Sequence, residues 1–322
     1  MTAGVDDLET ALRRLLASGA LELPLPGAGA TAERLARLSA IAAADLQVGR
    51  LVEAHTDATA ILAEAGRIAG PGVLYGVWAA EAPGGPGLRL ESGPHGPHLV
   101  GIKTFCSGAG IVDRALLPVQ IDRRSQLLDI DVRSGELSFD CSTWRTTAFD
   151  ATNTATVTFD RLPVEPGAAV GAPGWYLERI GFWHGATGPA ACWAGGISGL
   201  IDRSMALARA AGPDPHRDAQ LGELDTIRWL LTAVLSRAGW EIDHEASNWD
   251  GARRRALRLR HLVERAAAAA IDATGRMLGP RALSHDEWII RRVAEVQLYV
   301  RQHHSERDLA TLCGSVSPPG GR

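Results

Sequence analysis

The chain has 322 residues, 46% of them hydrophobic and 22% charged, with a formal net charge of −4 at pH 7. That length can fill two or three packed cores, and so near-neutral a balance excludes a basic nucleic-acid or membrane-surface protein. No run approaches the roughly 18 apolar residues of a membrane helix. The opening MTAGVDDLETAL is acidic and has no apolar core of a secretion signal, so a cytoplasmic location is expected. Cys106, Cys141, Cys192 and Cys313 lie far apart with no CxxC pair, which favours reduced thiols over a disulfide framework or a zinc site.

Residues 1–71 are rich in Ala, Leu and Arg. In TAERLARLSAIAAADLQVGRLVEAHTDATAILAEAG (31–66) apolar residues recur at three and four, the pattern of one amphipathic helix. Pro24 and Pro26 separate it from a shorter helix before. From Gly72 the pattern becomes strand-like. VLYGVWA, LRLES, LVGIKTF, RALLPVQI, LLDIDV and TATVTF are short β-branched or alternating runs divided by Gly, Pro, Asp and Ser. They predict a small antiparallel barrel or sandwich over 72–172.

From Trp175 the pattern is helical again. One helix is expected over about Leu177–Ala211. A second starts at Asp214-Pro215, a capping residue followed by proline at the first helical position, and runs to about Ile242. A third covers Ala252–Met277 and stops at Gly279-Pro280. Ser284-His285-Asp286-Glu287 reads as a capping box for a fourth, reaching about Leu312. Four long helices with short connections make a bundle over 173–314, and the tail 315–322 is expected to be disordered. The fold class is therefore α+β and multidomain: a helical N-terminal segment, a middle antiparallel β-barrel and a C-terminal four-helix bundle.

VGIKTFCSGAG (100–110) contains the chain's one lysine, Lys103, among 33 basic residues. By itself this fits an exposed strand lysine as well as a functional one. This stretch and the helix–β–helix order resemble the acyl-CoA dehydrogenase superfamily of flavoproteins. There the middle β domain carries a glycine-x-lysine-x-aromatic turn followed by a small hydroxyl residue, matched by Gly101-Ile102-Lys103-Thr104-Phe105-Cys106-Ser107. The resemblance also draws on IVDRALLPV, on VTFDRLPVEPGAAVGAPGWYLERIGF at the exit from the β domain, on LVEAHTDATAILAEAG, and on GRMLG (275–279). It covers roughly residues 35–314.

The resemblance implies FAD as cofactor, with Phe105 packing on the flavin ring, Cys106 beside it and Ser107 approaching flavin N5. It gives Lys103 a structural or electrostatic role. Gly275 and Gly279 would lie near the adenosine half of FAD. It further implies an acyl thioester or related small molecule as substrate, a homo-oligomer, and an electron-transfer partner or flavin reductase.

The departures are informative. The N-terminal domain is short, and AAEAPGGPG (79–87) replaces the family's threonine-glutamate-proline segment. The Glu-Gly-Thr that carries the dehydrogenase base is missing; Arg301 falls near its position, and Thr187 stands where some members place the glutamate on the first bundle helix. An arginine stays protonated and cannot remove a proton. Three functions stay open: an acyl-CoA dehydrogenase-type oxidoreductase passing hydride to flavin N5, a flavin-dependent monooxygenase, and a degenerate subunit without flavin.

On the last expected helix, Ile289, Val293, Val296, Val300 and His303 form an apolar stripe. Gln297, Arg301, His304 and Asp308 form a polar stripe beside it. That polar row is either a solvated, salt-bridged face or a catalytic one, with His304 as acid/base and Arg301 holding an anion. His303 and His304 point about 100° apart on a helix and do not share a metal. His184 in GFWHGATG reads either as a buried hydrogen-bonded histidine or as one near a substrate entrance.

Overall fold

A computed structural model of the chain describes residues 5–80, 87–94, 96–121 and 124–316. Most of the AAEAPGGPG segment (81–86) and the end of the tail (317–322) lie outside the described residues. In chain order the helices α1 (Val5–Ala17), α2 (Thr31–Ala44) and α3 (Leu46–Glu64) come first. The strands come next: β1 (Tyr75–Val77), β2 (Leu88–Gly93), β3 (Gly96–Cys106), β4 (Arg114–Ile121), β5 (Arg124–Asp131), β6 (Leu137–Asp140), β7 (Ala155–Pro163) and β8 (Ala169–Val170). The chain then forms α4 (Trp175–Glu178), α5 (Gly181–Gly185), α6 (Thr187–Ala210), α7 (Pro215–His244), α8 (Trp249–His285), α9 (Glu287–Tyr299) and α10 (Ser305–Val316). No helix among the described residues is long and apolar enough to cross a membrane.

The chain divides into two compact units, one of residues 1–23 and 51–182, the other of residues 24–50 and 183–322. The N-terminal helices are shared out between them: α1 lies in the first unit and α2 in the second, while α3 starts in the second and continues into the first.

The first unit is built on one eight-stranded sheet with the path β6-β7-β3-β2-β4-β5-β8, and β1 pairs with β4. Most pairs are antiparallel; β1 with β4 and the single Arg89–Gln120 pairing of β2 with β4 are parallel. The path ends at β6 and β8, so the ladder does not close into the expected barrel among the described residues. β4 and β5 are buried along most of their length, as doubly covered strands are; β4 reads as a continuous apolar run, while β5 also buries Gln126 and Asp129. Their Leu116 and Leu127 join Ile61, Leu62, Tyr75, Val170 and Tyr176 in one core. β6 and β8 lie outside the six strand-like runs expected from the sequence.

An ion-pair network fastens α1 to this unit. Arg13 donates to Asp113 at 2.6 and 2.8 Å and to the Ile111 carbonyl at 3.0 Å, while Arg133 bridges Asp113 and Glu9. Burial raises the Asp113 pKa, but the Arg13 hydrogen bond, the Leu74 N–H and the two guanidinium charges outweigh it and hold the carboxyl below its ordinary value.

The second unit is the bundle α6–α9, with α2 packed on α6 and α7 and α10 packed on α8. Glycines allow the α2–α6 approach: a Cβ on Gly195 would stand 2.2 Å from the Ser39 carbonyl oxygen, and one on Gly199 2.4 Å from that of Ala43. Asp214 caps α7 by accepting from the His216 and Arg217 N–H groups, with Pro215 at the first helical position, as its sequence implies.

Four helix boundaries differ from expectation, each for a local reason. The single helix over 31–66 breaks at Asp45, whose carboxylate accepts from the Gln47 and Val48 N–H groups and so caps α3. The helix expected from Leu177 is interrupted at Arg179, which takes extended backbone and separates α4 from α5. The third helix does stop at Gly279-Pro280 as expected: Gly279 leaves helical backbone (φ 68°, ψ −175°), a conformation glycine adopts without steric penalty, and a further helical segment runs on from Pro280 to His285. At the start of α9 the cap is Asp286, not Ser284: Asp286 accepts from the Trp288 and Ile289 N–H groups, while the Ser284 hydroxyl donates to the Pro280 carbonyl. The fourth helix then ends at Tyr299, and a tight turn and an extended His303 precede α10. The stripes read through residues 289–308 therefore do not lie on one continuous helix.

Candidate functional site

In the first unit, β3 pairs with β7 through Ile102–Thr158 and Lys103–Val157, and next through Cys106–Ala155. Three steps on β3 face two on β7, which is a β-bulge. Phe105 absorbs it with φ 60°, the left-handed region where a bulky side chain costs on the order of 1–2 kcal/mol. The outcome is an aromatic ring left 54% exposed beside a fully buried Cys106. Non-glycine residues held in such backbone cluster at functional sites, and this one lies in the turn singled out from sequence.

Gly101 opens the stretch for a steric reason. Its φ is 128°, and a Cβ there would stand 2.2 Å from the Gly87 carbonyl oxygen. Lys103 is 3% exposed, which removes the reading of an exposed strand lysine. Cys106 is closed off: its thiol donates to the Lys103 carbonyl at 3.5 Å. Burial pushes its pKa up to about 12, against the Lys103 charge and a hydrogen bond from the Val157 backbone. The Cys106 side chain is thus a buried, protonated thiol turned away from the exposed Phe105 face.

Ser107 is held from two sides. Trp78 Nε1 donates to its carbonyl at 2.9 Å, and its hydroxyl lies 3.0 Å from that of Thr154. The Thr154 hydroxyl in turn lies 3.0 Å from that of Thr152, which donates to the Phe149 carbonyl at 2.8 Å. The Gly108 N–H donates to the Thr152 carbonyl, and the Asn153 amide to the Ala109 carbonyl, so the turn and residues 149–154 are tied together. Nearby, Thr104 Oγ1 is buried without a hydrogen-bond partner among the described residues. An exposed aromatic face, a positioned hydroxyl and an orphaned polar atom on one turn suit a flat heteroaromatic ring with polar edges.

The other residues singled out belong to the second unit. Gly275 lies within α8, and Gly279 forms its kink. Arg301 donates to Glu264 at 2.8 Å, so it neutralises a buried carboxylate; of the two readings of the polar stripe, its half of the row is the salt-bridged one. His304 is exposed, and its backbone N–H donates to Asp308. His184 is buried.

The residue that helical periodicity assigns to the core stripe, and so misses, is His303. Its side chain is fully buried; Nδ1 lies 2.9 Å from Asp308 Oδ2 but outside hydrogen-bond geometry, and Nε2 has no partner among the described residues. The His261 ring stands 5.6 Å away, centroid to centroid. Burial lowers the His303 pKa and the Asp308 charge opposes it; the result is a pKa below the ordinary histidine value. An imidazole held beside a carboxylate, with its far nitrogen unpartnered among the described residues, is of the kind that exchanges a proton. Only its position at a helix break, invisible to a periodicity argument, distinguishes it from a core residue.

No protein-family model matches the sequence, and no curated protein matches it. Its fold is that of solved structures of the acyl-CoA dehydrogenase-like type. FMN-bound TdsC from Paenibacillus sp. A11-2 superposes with a TM-score of 0.80 at 16% identity, over 96% of this chain and 95% of that one. TdsC is a dibenzothiophene monooxygenase. KijD3 in complex with FMN and dTDP-3-amino-2,3,6-trideoxy-4-keto-3-methyl-D-glucose gives 0.79 at 15% identity, over 97% of this chain and 88% of that one. The methanesulfinate monooxygenase MsuC from Pseudomonas fluorescens gives 0.73 at 16%, over 96% and 90%. The acyl-CoA dehydrogenase resemblance read from the sequence therefore holds at the level of the fold.

Proposed function

We propose that this chain is a flavin-dependent monooxygenase that binds reduced FMN supplied by a separate reductase and oxidises a small molecule. The observation that carries the reading is the strained, exposed Phe105 beside the anchored Ser107 hydroxyl. Phe105 would pack on the flavin ring, Ser107 would meet the N5 edge, and Thr104 Oγ1 would gain the partner it lacks. The bound reduced flavin supplies the electrons that activate oxygen.

FMN replaces the FAD expected from the sequence because FMN is the flavin named with TdsC and KijD3. FMN has no adenosine half, so Gly275 and Gly279 need no ligand role; Gly279 serves the α8 kink. The monooxygenase reading replaces the dehydrogenase one because thioester dehydrogenation needs a carboxylate base. Arg301, near the place of that base, is a cation engaged with Glu264. His303, beside Asp308, is the better candidate acid/base than His304, since its Nε2 is buried without a partner among the described residues.

Anaerobic titration with reduced FMN and with oxidised FAD, followed by mixing with oxygenated buffer, tests the reading. Micromolar binding of reduced FMN and oxygen uptake that depends on added reductase support it. Bleaching of a bound flavin by acyl-CoA would return the dehydrogenase reading, and a protein that binds neither flavin would overturn both.

A further inference from the structure

The hydroxyls of Ser107, Thr154 and Thr152 form a chain that ends on a carbonyl, and that end sets its direction. A carbonyl only accepts, so the Thr152 proton is committed to the Phe149 oxygen at 2.8 Å. A hydroxyl has one proton. At the 3.0 Å contact with Thr152, Thr154 must therefore be the donor. Its own proton is then engaged, and at the 3.0 Å contact with Ser107 the donor must be Ser107. Thr152 and Thr154 are 0% and 3% exposed, so water does not compete for these bonds.

The consequence falls on Ser107. Its proton points into the protein toward Thr154, and only its lone pairs are left for a ligand. We infer that Thr154 and Thr152 are positioning residues that make Ser107 an obligate hydrogen-bond acceptor toward the bound flavin, and so bias the site to the reduced cofactor. This inference rests on the reading in which Ser107 meets flavin N5. In oxidised flavin N5 is an acceptor and faces lone pairs; in reduced flavin N5 carries a proton and donates. The protein thereby prefers the form that a reductase delivers and releases the oxidised one.

The experiment measures the dissociation constants of oxidised and reduced FMN anaerobically for the wild type and for Ser107→Ala, Thr154→Val, Thr154→Ser and Thr152→Val. Wild type binds reduced FMN more tightly. Thr154→Val frees the Ser107 proton to turn outward, and the oxidised-to-reduced ratio of dissociation constants falls about five- to tenfold, the worth of one hydrogen bond changing sign. Thr154→Ser keeps the donor chain and the wild-type ratio. Thr152→Val lets Thr154 turn either way and shifts the ratio in the same sense by less. Thr154→Val placed on Ser107→Ala produces no further change. If Ser107→Ala leaves the ratio at the wild-type value, the placement of Ser107 at the flavin fails. If Ser107→Ala moves the ratio but Thr154→Val does not, the placement stands and the inference about the threonines is overturned.

Discussion

His303 Nδ1 lies 2.9 Å from Asp308 Oδ2 with its side chain fully buried, whereas the neighbouring His304 is 63% exposed and 3.8 Å from the same carboxylate. The pair separates because the chain is extended at His303 between a tight turn and α10. Replacing His303 by Gln is expected to lower turnover by about 10²–10⁴-fold, the contribution of a positioned acid/base, with flavin affinity unchanged. His304→Gln should stay within about twofold of wild type. Steady-state oxygen uptake with a fixed reductase checks both. Equal losses in the two variants would remove His303 from the reaction.

Phe105 combines strained backbone with an exposed ring, so stability and binding should part company there. Asn tolerates left-handed backbone far better than Phe. Phe105→Asn is expected to hold or raise the melting temperature while weakening flavin binding by about tenfold, since a buried stacking contact is worth about 1 kcal/mol or more. Thermal melts and flavin titration on the same sample read the two effects. A variant that loses stability and keeps its flavin affinity would make the ring a structural element.

His55 predicts an acid limb in the stability curve. It is buried, and burial lowers its pKa from 6.5 to about 4 while the Asp113 charge opposes. Its Nδ1 accepts from the Tyr75 N–H at 3.1 Å, so protonation there also breaks a bond. Below pH 6.5 the unfolded chain takes up a proton that the folded chain refuses. Stability present above that pH is lost as pH falls toward 4, by about 3 kcal/mol in all. His55→Asn keeps an acceptor near the Nδ1 position and removes the titration. Urea melts from pH 7 to 4 should show a flatter curve for the variant.

Gly101→Ala places a methyl group 2.2 Å from the Gly87 carbonyl oxygen at φ 128°. The expected cost is about 2–4 kcal/mol, paired with weaker flavin binding, because β3 must shift and carries the Phe105 bulge with it. Val100→Ala, one residue away, serves as the control. A melting temperature unchanged by Gly101→Ala would show that β2 and β3 can part without cost at this point.

Much of this was legible in the chain. Six of the eight strands lay in runs that showed their pattern, Asp214-Pro215 announced a helix start through its capping chemistry, and the Gly101–Ser107 stretch stood out by its lysine and its resemblance. These are local properties: a period, a cap or a motif needs only neighbours within a few residues. What stayed hidden was non-local or depended on a single competing bond. Asp45 and Asp286 captured nearby N–H groups and moved helix boundaries by a few residues. α2 joined the bundle because small residues on α6 allow close approach, which its own apolar stripe could not announce.

The site shows the same division. The sequence by itself determined that an aromatic, a thiol and a hydroxyl follow Lys103 in one short stretch, and that no carboxylate stands at the expected base position; that residues 101–106 run as the bulged end of β3 came from the fold. Only the tertiary structure decided what each side chain does. Register against β7 forced the bulge that turns Phe105 out and Cys106 in. The fold brought Thr154, forty-seven positions later in the chain, to the Ser107 hydroxyl, and Thr152 to Thr154. A helix break buried His303 beside Asp308 and left His304 exposed. Burial and hydrogen-bond direction depend on what packs from elsewhere in the chain, and a residue's immediate neighbours in sequence do not carry that information.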